Sequence, residues 1–533
     1  MSIWSVSFKN MTRRITGSFR EDTKRENVAQ KDTAAREMNM SPLYIYVLAF
    51  FSGMCIMAVE LCASRLMAPF FGTSTFVWTN IIGIIMIALS IGYFVGGRLA
   101  DRKPRLHILL KLLMAASAFL LVLPFVASPL VRWLALLMGN FNSSFSFIFF
   151  GSLCAITLLF SPPIVVMGMT SPFLIRIIAR SGHVGDSAGH IFGISTIGSV
   201  LGTFLPILVF IPTLGTATTI LLFAAALFVV TALGFANKKN AVLCVAVVVP
   251  FLFPVPSMRE IPGRVYSTES AYQYIEVFDI GSFRYLVYND AVGFQTVANK
   301  RGVFTGLYYD YYSLLPLLLE TPPKRALIIG LGGGIIANQL YYFYPEIGID
   351  AVEIDPKVIE IARSYFALVD TVRVFNQDGR VFVNLGKRKY NIVIIDAYTQ
   401  QVYIPFHLTT MEFFSQVKRG LSDKGILAMN VSSARNDSPL IKSITNTLRL
   451  VFGHVYQLRI PHSVDNVVLA SDRSIDFAFP VGAVEKGMQG MAQYSQQFFT
   501  ESAYDEGYKP LTDDRAPIEH MVDWEILKQS IKG

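Results

Sequence analysis

Residues 326–334 read Ala326-Leu327-Ile328-Ile329-Gly330-Leu331-Gly332-Gly333-Gly334. Four apolar residues in a row, ending on glycines, are how a strand buried on both faces hands its chain to a turn. The stretches that follow repeat the pattern. Residues 349–352 end at Glu353-Ile354-Asp355-Pro356, the next stretch ends at Gln377-Asp378-Gly379, and residues 392–395 end at Asp396. Helical stretches lie between them, so the sequence predicts a doubly wound parallel α/β sheet. A ligand in such a sheet sits outside the carboxyl ends of the strands. Here those ends carry glycines and then three acids.

Outward from this stretch, composition divides the chain. At 533 residues it is too long for one ordinary domain, and 53% of it is apolar against 16% charged. The imbalance is local. From Leu43 to about Val255 apolar runs follow one another, and from about Ser257 the composition is that of a soluble protein. The predicted division is a polar tail (1–40), a multi-span α-helical membrane domain (41–256), a small β-hairpin domain with a linker helix (257–320) and the α/β domain (321–533). The net charge of +8 is assigned to basic residues flanking membrane segments on the cytoplasmic side, and not to nucleic-acid binding. Cys55, Cys62, Cys154 and Cys244 all lie in apolar segments without a CxxC or Cys/His cluster. Neither a disulfide framework nor a metal site is indicated. No apolar core follows the early charges, which argues against a signal peptide.

Six spans are predicted, near residues 43–66, 76–96, 107–127, 145–167, 191–210 and 216–235. The first holds Glu60 and Arg65, read either as an ion pair or as a functional acid at membrane depth. The second ends in Gly97-Arg98-Leu99-Ala100-Asp101-Arg102-Lys103-Pro104-Arg105. That basic loop belongs on the cytoplasmic side and resembles the loop between the second and third helices of major facilitator transporters. Pro162-Pro163 is expected to break the fourth span, and Gly198 and Gly202 suit close helix packing in the fifth. The run 241–255 holds Pro250 and Pro254 and is short for a crossing, so it is read as re-entrant or interfacial. Six crossings of the cytoplasmic membrane would leave the soluble half in the cytoplasm, where it meets a cytosolic cofactor. The tail is read as unstructured, the alternative being a surface helix on Ile3, Trp4, Val6 and Phe8.

In the soluble half, residues 272–278 and 284–288 alternate like strands, with Gly281-Ser282 as their turn. The glycines from Gly330 let a backbone approach a ligand closely, and the helix after them offers free N–H groups. Glu353, about twenty residues on, is placed to accept ribose hydroxyls. Asp378-Gly379 is placed to accept from an adenine amino group. Position 335 is Ile, so the Gly-x-Gly-x-x-Gly form is absent. That favours a nucleoside without a pyrophosphate, S-adenosylmethionine or a relative, over NAD. The alternative is a plain α/β turn with three solvated acids. Asp396 would stand beside the sulfonium, to hold an incoming amine or to take its proton; otherwise it is an N-cap. Tyr308 and Tyr309 either wall the acceptor pocket or are core aromatics.

These residues resemble the spermidine synthase family, and most of all membrane-fused spermidine synthase-like proteins in which transporter-like helices precede the domain. Ser270-Ala271-Tyr272-Gln273 is similar to the family's early cofactor-side segment, and Val292-Gly293-Phe294-Gln295 to the strand end after it. Tyr308-Tyr309-Asp310 stands at the family's Tyr-Gln-Glu, and Gly330-Leu331-Gly332-Gly333-Gly334 at its Gly-Gly-Gly-Asp-Gly. Glu353 lies in the ribose-binding segment, Asp378-Gly379 in the adenine-binding one, and Asp396-Ala397-Tyr398-Thr399 at Asp-Ser-Ser-Asp. The resemblance implies an S-adenosylmethionine methyltransferase-like fold. It implies S-adenosylmethionine or its decarboxylated form as cofactor, with no metal, held by Gln273, Gly330, Gly332, Gly333, Glu353, Asp378 and Gly379. It also implies an amine acceptor held by Tyr308, Tyr309 and Tyr398, with Asp396 catalytic.

Two departures stand out: Gly333 replaces the aspartate that helps hold the donor's charged end, and Thr399 replaces the aspartate that holds the diamine. Asp310, Asp513, Asp514 and Glu519 are the acids available to compensate. The expected function is aminopropyl transfer to an amine with release of 5′-methylthioadenosine. The alternatives are a methyltransferase or cofactor-cleaving enzyme, and a non-catalytic nucleoside-sensing transporter. Expected partners are membrane lipid and a small-molecule amine, with a homo-oligomer allowed.

Overall fold

The computed structural model describes residues 41–71, 75–137, 147–179, 184–235, 247–253, 262–289, 293–399, 403–433, 435, 437–479 and 484–532. The tail, Val292 and most of the run 241–255 lie outside the described residues. Among the described residues, six helices are long and apolar enough to cross a membrane: α1 (Pro42–Phe71), α2 (Phe76–Arg102), α3 (Leu106–Leu134), α4 (Phe149–Ile178), α5 (Val184–Leu214) and α6 (Thr216–Leu233). They share one apolar core that buries Leu48, Leu66, Ile81, Leu109, Phe160 and Ile220. Helices α1 and α5 run side by side in the same direction. The glycines permit it, since a Cβ at Gly198 or Gly202 would stand 2.1 Å from the backbone oxygen of Phe50 or Met54.

Two expectations about the bundle do not hold. Pro162 and Pro163 leave α4 unbroken. The helix continues through them to Gly168, and only Met169 interrupts it before Thr170–Ile178. Each proline removes one donor, but Phe160, Ile164 and Met167 are buried in the bundle on either side of the pair and keep the segment in line. Nor does Arg65 pair with Glu60. Arg65 donates to the backbone oxygen of Ala271, in the soluble half. A second contact joins the same two parts: Glu269 accepts the backbone N–H of Thr216 at 3.0 Å, and its hydroxyl as well. A carboxylate at the first residue of α6 suits the partial positive charge of a helix N-terminus.

The soluble half opens with a four-stranded antiparallel sheet in the order β1 (Arg264–Glu269), β2 (Tyr274–Ile280), β3 (Phe283–Tyr288), β4 (Thr296–Asn299). The sequence predicted its central hairpin and left out β1 and β4. Then come β5 (Arg325–Ile329), β6 (Gly348–Glu353), β7 (Arg373–Asn376), β8 (Tyr390–Ile395), β9 (Leu421–Ser432), β10 (His454–Arg459), β11 (Asp465–Ser471) and β12 (Thr500–Glu501). They stand in the order β12-β10-β11-β9-β8-β5-β6-β7. The five strands β9-β8-β5-β6-β7 are parallel, and β10, β11 and β12 are antiparallel to their neighbours. Helices α7 (Ile335–Phe343), α8 (Pro356–Tyr365), α9 (Gly379–Leu385) and α10 (Met411–Gly420) make the crossovers.

Along β5, Ala326 and Ile328 enter one core while Leu327 and Ile329 enter another on the opposite face. That two-sided burial explains why the strand reads as an unbroken apolar run. The chain steps from β5 to β6 and β7 on one side, and then to β8 and β9 on the other. Strand order therefore reverses between β5 and β8, the place where this architecture leaves a crevice.

Candidate functional site

A cavity of about 510 Å³ opens at that reversal. Gly330 leaves β5 with φ +90°, and a Cβ there would lie 2.3 Å from the backbone oxygen of Asp396. Only glycine tolerates both conditions. Glu353 closes β6 and is buried. Its carboxylate accepts backbone N–H groups from Leu331 at 3.1 Å, Gly332 at 3.4 Å and Asp355 at 3.0 Å. Burial pushes its pKa up, while these donors pull the other way. A carboxylate has about four acceptor positions, so the group is fixed in place with capacity left for a ligand hydroxyl.

Asp378 caps α9 by accepting the N–H of Val381 at 2.9 Å, and its other oxygen lies 3.2 Å from Nε2 of His407. Gln377, Asp378, Gly379 and His407 all line the cavity. Gln273 lines it too and donates to Asp355 at 3.4 Å; Ser270 donates to the same oxygen at 2.6 Å. The segment after β1 is thereby tied to the tip of β6. Gly333 lies outside the lining. Its N–H goes to Oγ1 of Thr296 at 2.8 Å, and a Cβ would press on Thr296 and Phe366. An aspartate at 333 would require Thr296 and Phe366 to move.

At the other end stands Asp396, directly after β8. Tyr308 donates its hydroxyl to both carboxylate oxygens at 2.9 Å, and Nδ2 of Asn430 approaches one of them at 3.3 Å. Burial pushes the Asp396 pKa up to about 7, and the charge of Asp465 adds to the rise against the two hydrogen bonds. Tyr309 donates to the Gln295 backbone at 3.3 Å, and Tyr398 to the Asn430 backbone at 3.0 Å. Burial raises all three phenols, so each keeps its proton. Oδ1 of Asn430 is buried without a partner among the described residues, an acceptor left for a ligand N–H.

Asp465 is the acid that sequence reasoning missed. It lines the cavity, accepting from Ser432 at 2.7 Å and Ser463 at 2.6 Å. It is the first residue of β11, paired opposite Ser432 at the end of β9. Because β11 runs antiparallel, its beginning lies where its parallel neighbours end. A search of strand ends passes over it; the Ser463/Asp465 pair opening an apolar strand was the only local sign. The four compensating acids named from the sequence do not line the cavity. Asp310 instead accepts the N–H groups of Thr305 and Gly306 and the amide of Gln339, and Asp513 pairs with Arg380.

The cavity thus presents Glu353, Asp378, Asp396 and Asp465, with no Lys or Arg among the described residues that line it. Residues 307–470 match the spermine/spermidine synthase domain. The polyamine aminopropyltransferase of Vibrio vulnificus is 37% identical over 221 residues, covering 39% of this chain and 71% of that protein. The probable polyamine aminopropyl transferase of Bifidobacterium longum is 28% identical over 295 residues, half of this chain and 64% of that protein, a little under two thirds of its length. Among solved structures, a probable spermidine synthase from Corynebacterium glutamicum is similar at 17% identity and a TM-score of 0.38, over 48% of this chain and 97% of that one. With more than two thirds of the Vibrio protein matched at that identity, the chain belongs to the polyamine aminopropyltransferase family.

Proposed function

We propose that the chain transfers an aminopropyl group from decarboxylated S-adenosylmethionine to an amine, releasing 5′-methylthioadenosine. One observation carries the choice of donor: four acids and no Lys or Arg line the cavity among the described residues. A buried charge without a counter-charge is costly. Intact S-adenosylmethionine would bring a carboxylate among four acids, whereas the decarboxylated form brings only positive charge. Glu353 would accept a ribose hydroxyl, Asp378 the adenine amino group, and Gly330 and Gly332 would let the backbone approach the nucleoside. Gln273 would steady the nearby loop.

The amine nitrogen would attack the carbon beside the sulfonium. The carbon–sulfur pair would stay on sulfur, leaving a neutral thioether, and Asp396 would take the proton shed by the new ammonium. With a pKa near 7, Asp396 is matched to that task at neutral pH. Tyr308 would hold the carboxylate in place, while Tyr309 and Tyr398 would wall the acceptor. Asp465 would bind the far ammonium of a diamine, as the counterpart of the aspartate that Thr399 replaces.

The test is calorimetric binding of both cofactor forms to the purified full-length chain, followed by product analysis with candidate amines. Tighter binding of the decarboxylated form, and methylthioadenosine released together with an alkylated amine, is the expected result. Tighter binding of intact S-adenosylmethionine, or S-adenosylhomocysteine as product, would overturn the proposal.

A further inference from the structure

The two ends of the helix bundle differ in charge, and the soluble half docks on the less expected one. One end is fixed by contacts among helix termini. Tyr44 near the start of α1 donates to the Val230 backbone near the end of α6 at 2.9 Å, and Arg176 near the end of α4 pairs with Asp101 near the end of α2 at 2.9 Å. This end carries the loop with Arg98, Arg102, Lys103 and Arg105, and α4 closes there ahead of Arg180. The opposite end is fixed by Asn80 near the start of α2, which donates to the Phe149 backbone at 2.9 Å. No charged residue occurs in the connections there, 72–74, 138–146 and Gly215. By the rule that Lys and Arg in short loops stay inside, the first end is cytoplasmic and the second is not.

The soluble half touches the second end. Its Glu269 accepts from Thr216 at the first residue of α6, and its Ala271 accepts from Arg65. Arg65 stands 21 residues beyond Tyr44 along α1, about 32 Å at helical rise, which is the thickness of a hydrocarbon core. Helix α6 ends at Leu233 on the basic end, yet β1 (Arg264–Glu269) meets the other through Glu269. The two elements that the connection joins therefore meet opposite ends of the bundle. One described residue of that connection, Val247, is buried in the bundle's own core.

We propose that the chain crosses the membrane a seventh time between Leu233 and Arg264, and that the transferase site opens on the extracytoplasmic side. This departs from the cytoplasmic placement expected from sequence, which counted the run 241–255 as too short to cross. On that side a donor made in the cytoplasm must be delivered by an export step. The proposal concerns topology alone and does not depend on which donor or amine the site accepts.

The experiment uses the full-length chain in bacterial cells, with single cysteines in a background where Cys55, Cys62, Cys154 and Cys244 are alanine. Lys387→Cys is exposed on the soluble half and Lys103→Cys is exposed in the basic loop. A membrane-impermeant maleimide should label the first in intact cells and the second only after the cells are broken. Alkaline phosphatase joined after Gly533 should be active, and green fluorescent protein there should be dark. Labelling of Lys103→Cys but not Lys387→Cys in intact cells, with a fluorescent fusion, would overturn the proposal. Because labelling reports position even where a fusion fails to insert, the two readouts guard one another.

Discussion

At one end of the cavity the acid is held by backbone; at the other, the acids are held by side chains. Glu353 takes its donors from the main-chain N–H groups of Leu331, Gly332 and Asp355, all within or beside the two turns that end β5 and β6. Asp396 and Asp465 take theirs from Tyr308, Asn430, Ser432 and Ser463, spread over more than 150 residues of chain. A backbone cradle is set by the fold and varies little. A side-chain cradle can be re-specified one residue at a time. Under the proposed function, the difference would let the cofactor end keep its pattern while the acceptor end uses Asp465 in place of an acid at position 399.

The sharpest way to break the comparison is Asp396→Asn. Loss of a positioned base should lower kcat by about 10²–10⁴-fold, with donor affinity measured by calorimetry nearly unchanged. An equal loss of donor binding would mean that the two ends are not separable. Glu353→Gln should do the reverse, weakening donor binding by about 10- to 150-fold, the 1.5–3 kcal/mol of a charge-assisted bond. Its KM for the amine should stay put. Asp465→Asn should raise KM for a diamine about tenfold, one charge-assisted bond of about 1.4 kcal/mol. It should leave a monoamine alone, and equal effects on both amines would remove Asp465 from the acceptor end.

The smallest effect concerns pH. Because the Asp396 pKa is raised to about 7, the group is protonated and idle below that value. The pH profile of kcat/KM should therefore climb through about 7. The nearby Asp465 charge contributes to that rise, so Asp465→Asn should move the midpoint towards lower pH. A profile that does not move would mean that burial alone sets it.

The same contrast explains what could be read from sequence. Six apolar runs, four strand tips and the Gly330 turn are local patterns, and each stands in the structure near its predicted position. Glu353, Asp378 and Asp396 follow from one rule about strand ends, and the cavity includes all three. Asp465 required knowing that β11 lies antiparallel beside β9, which is a long-range pairing with no local signature. Gly333 looked like part of the lining because its neighbours are; the bond to Thr296 turns it away. Pro162 and Pro163 looked like a break because propensity ignores the bundle packed around them. The contacts of Glu269 with Thr216 and of Arg65 with Ala271, on which the proposed topology rests, are tertiary and have no local signature.

That docking bears on how the enzyme can be handled at the bench. A fragment trimmed to begin at Pro262 would retain every described strand and look like a convenient stand-in for the whole. It would also leave Glu269, whose pKa burial pushes up, without Thr216, and free the Ala271 carbonyl from its guanidinium. The loop next to both carries Gln273, which lines the cavity. Kinetics collected on such a fragment would describe a loosened cavity, so nanodisc-embedded material is the sounder starting point for inhibitor work.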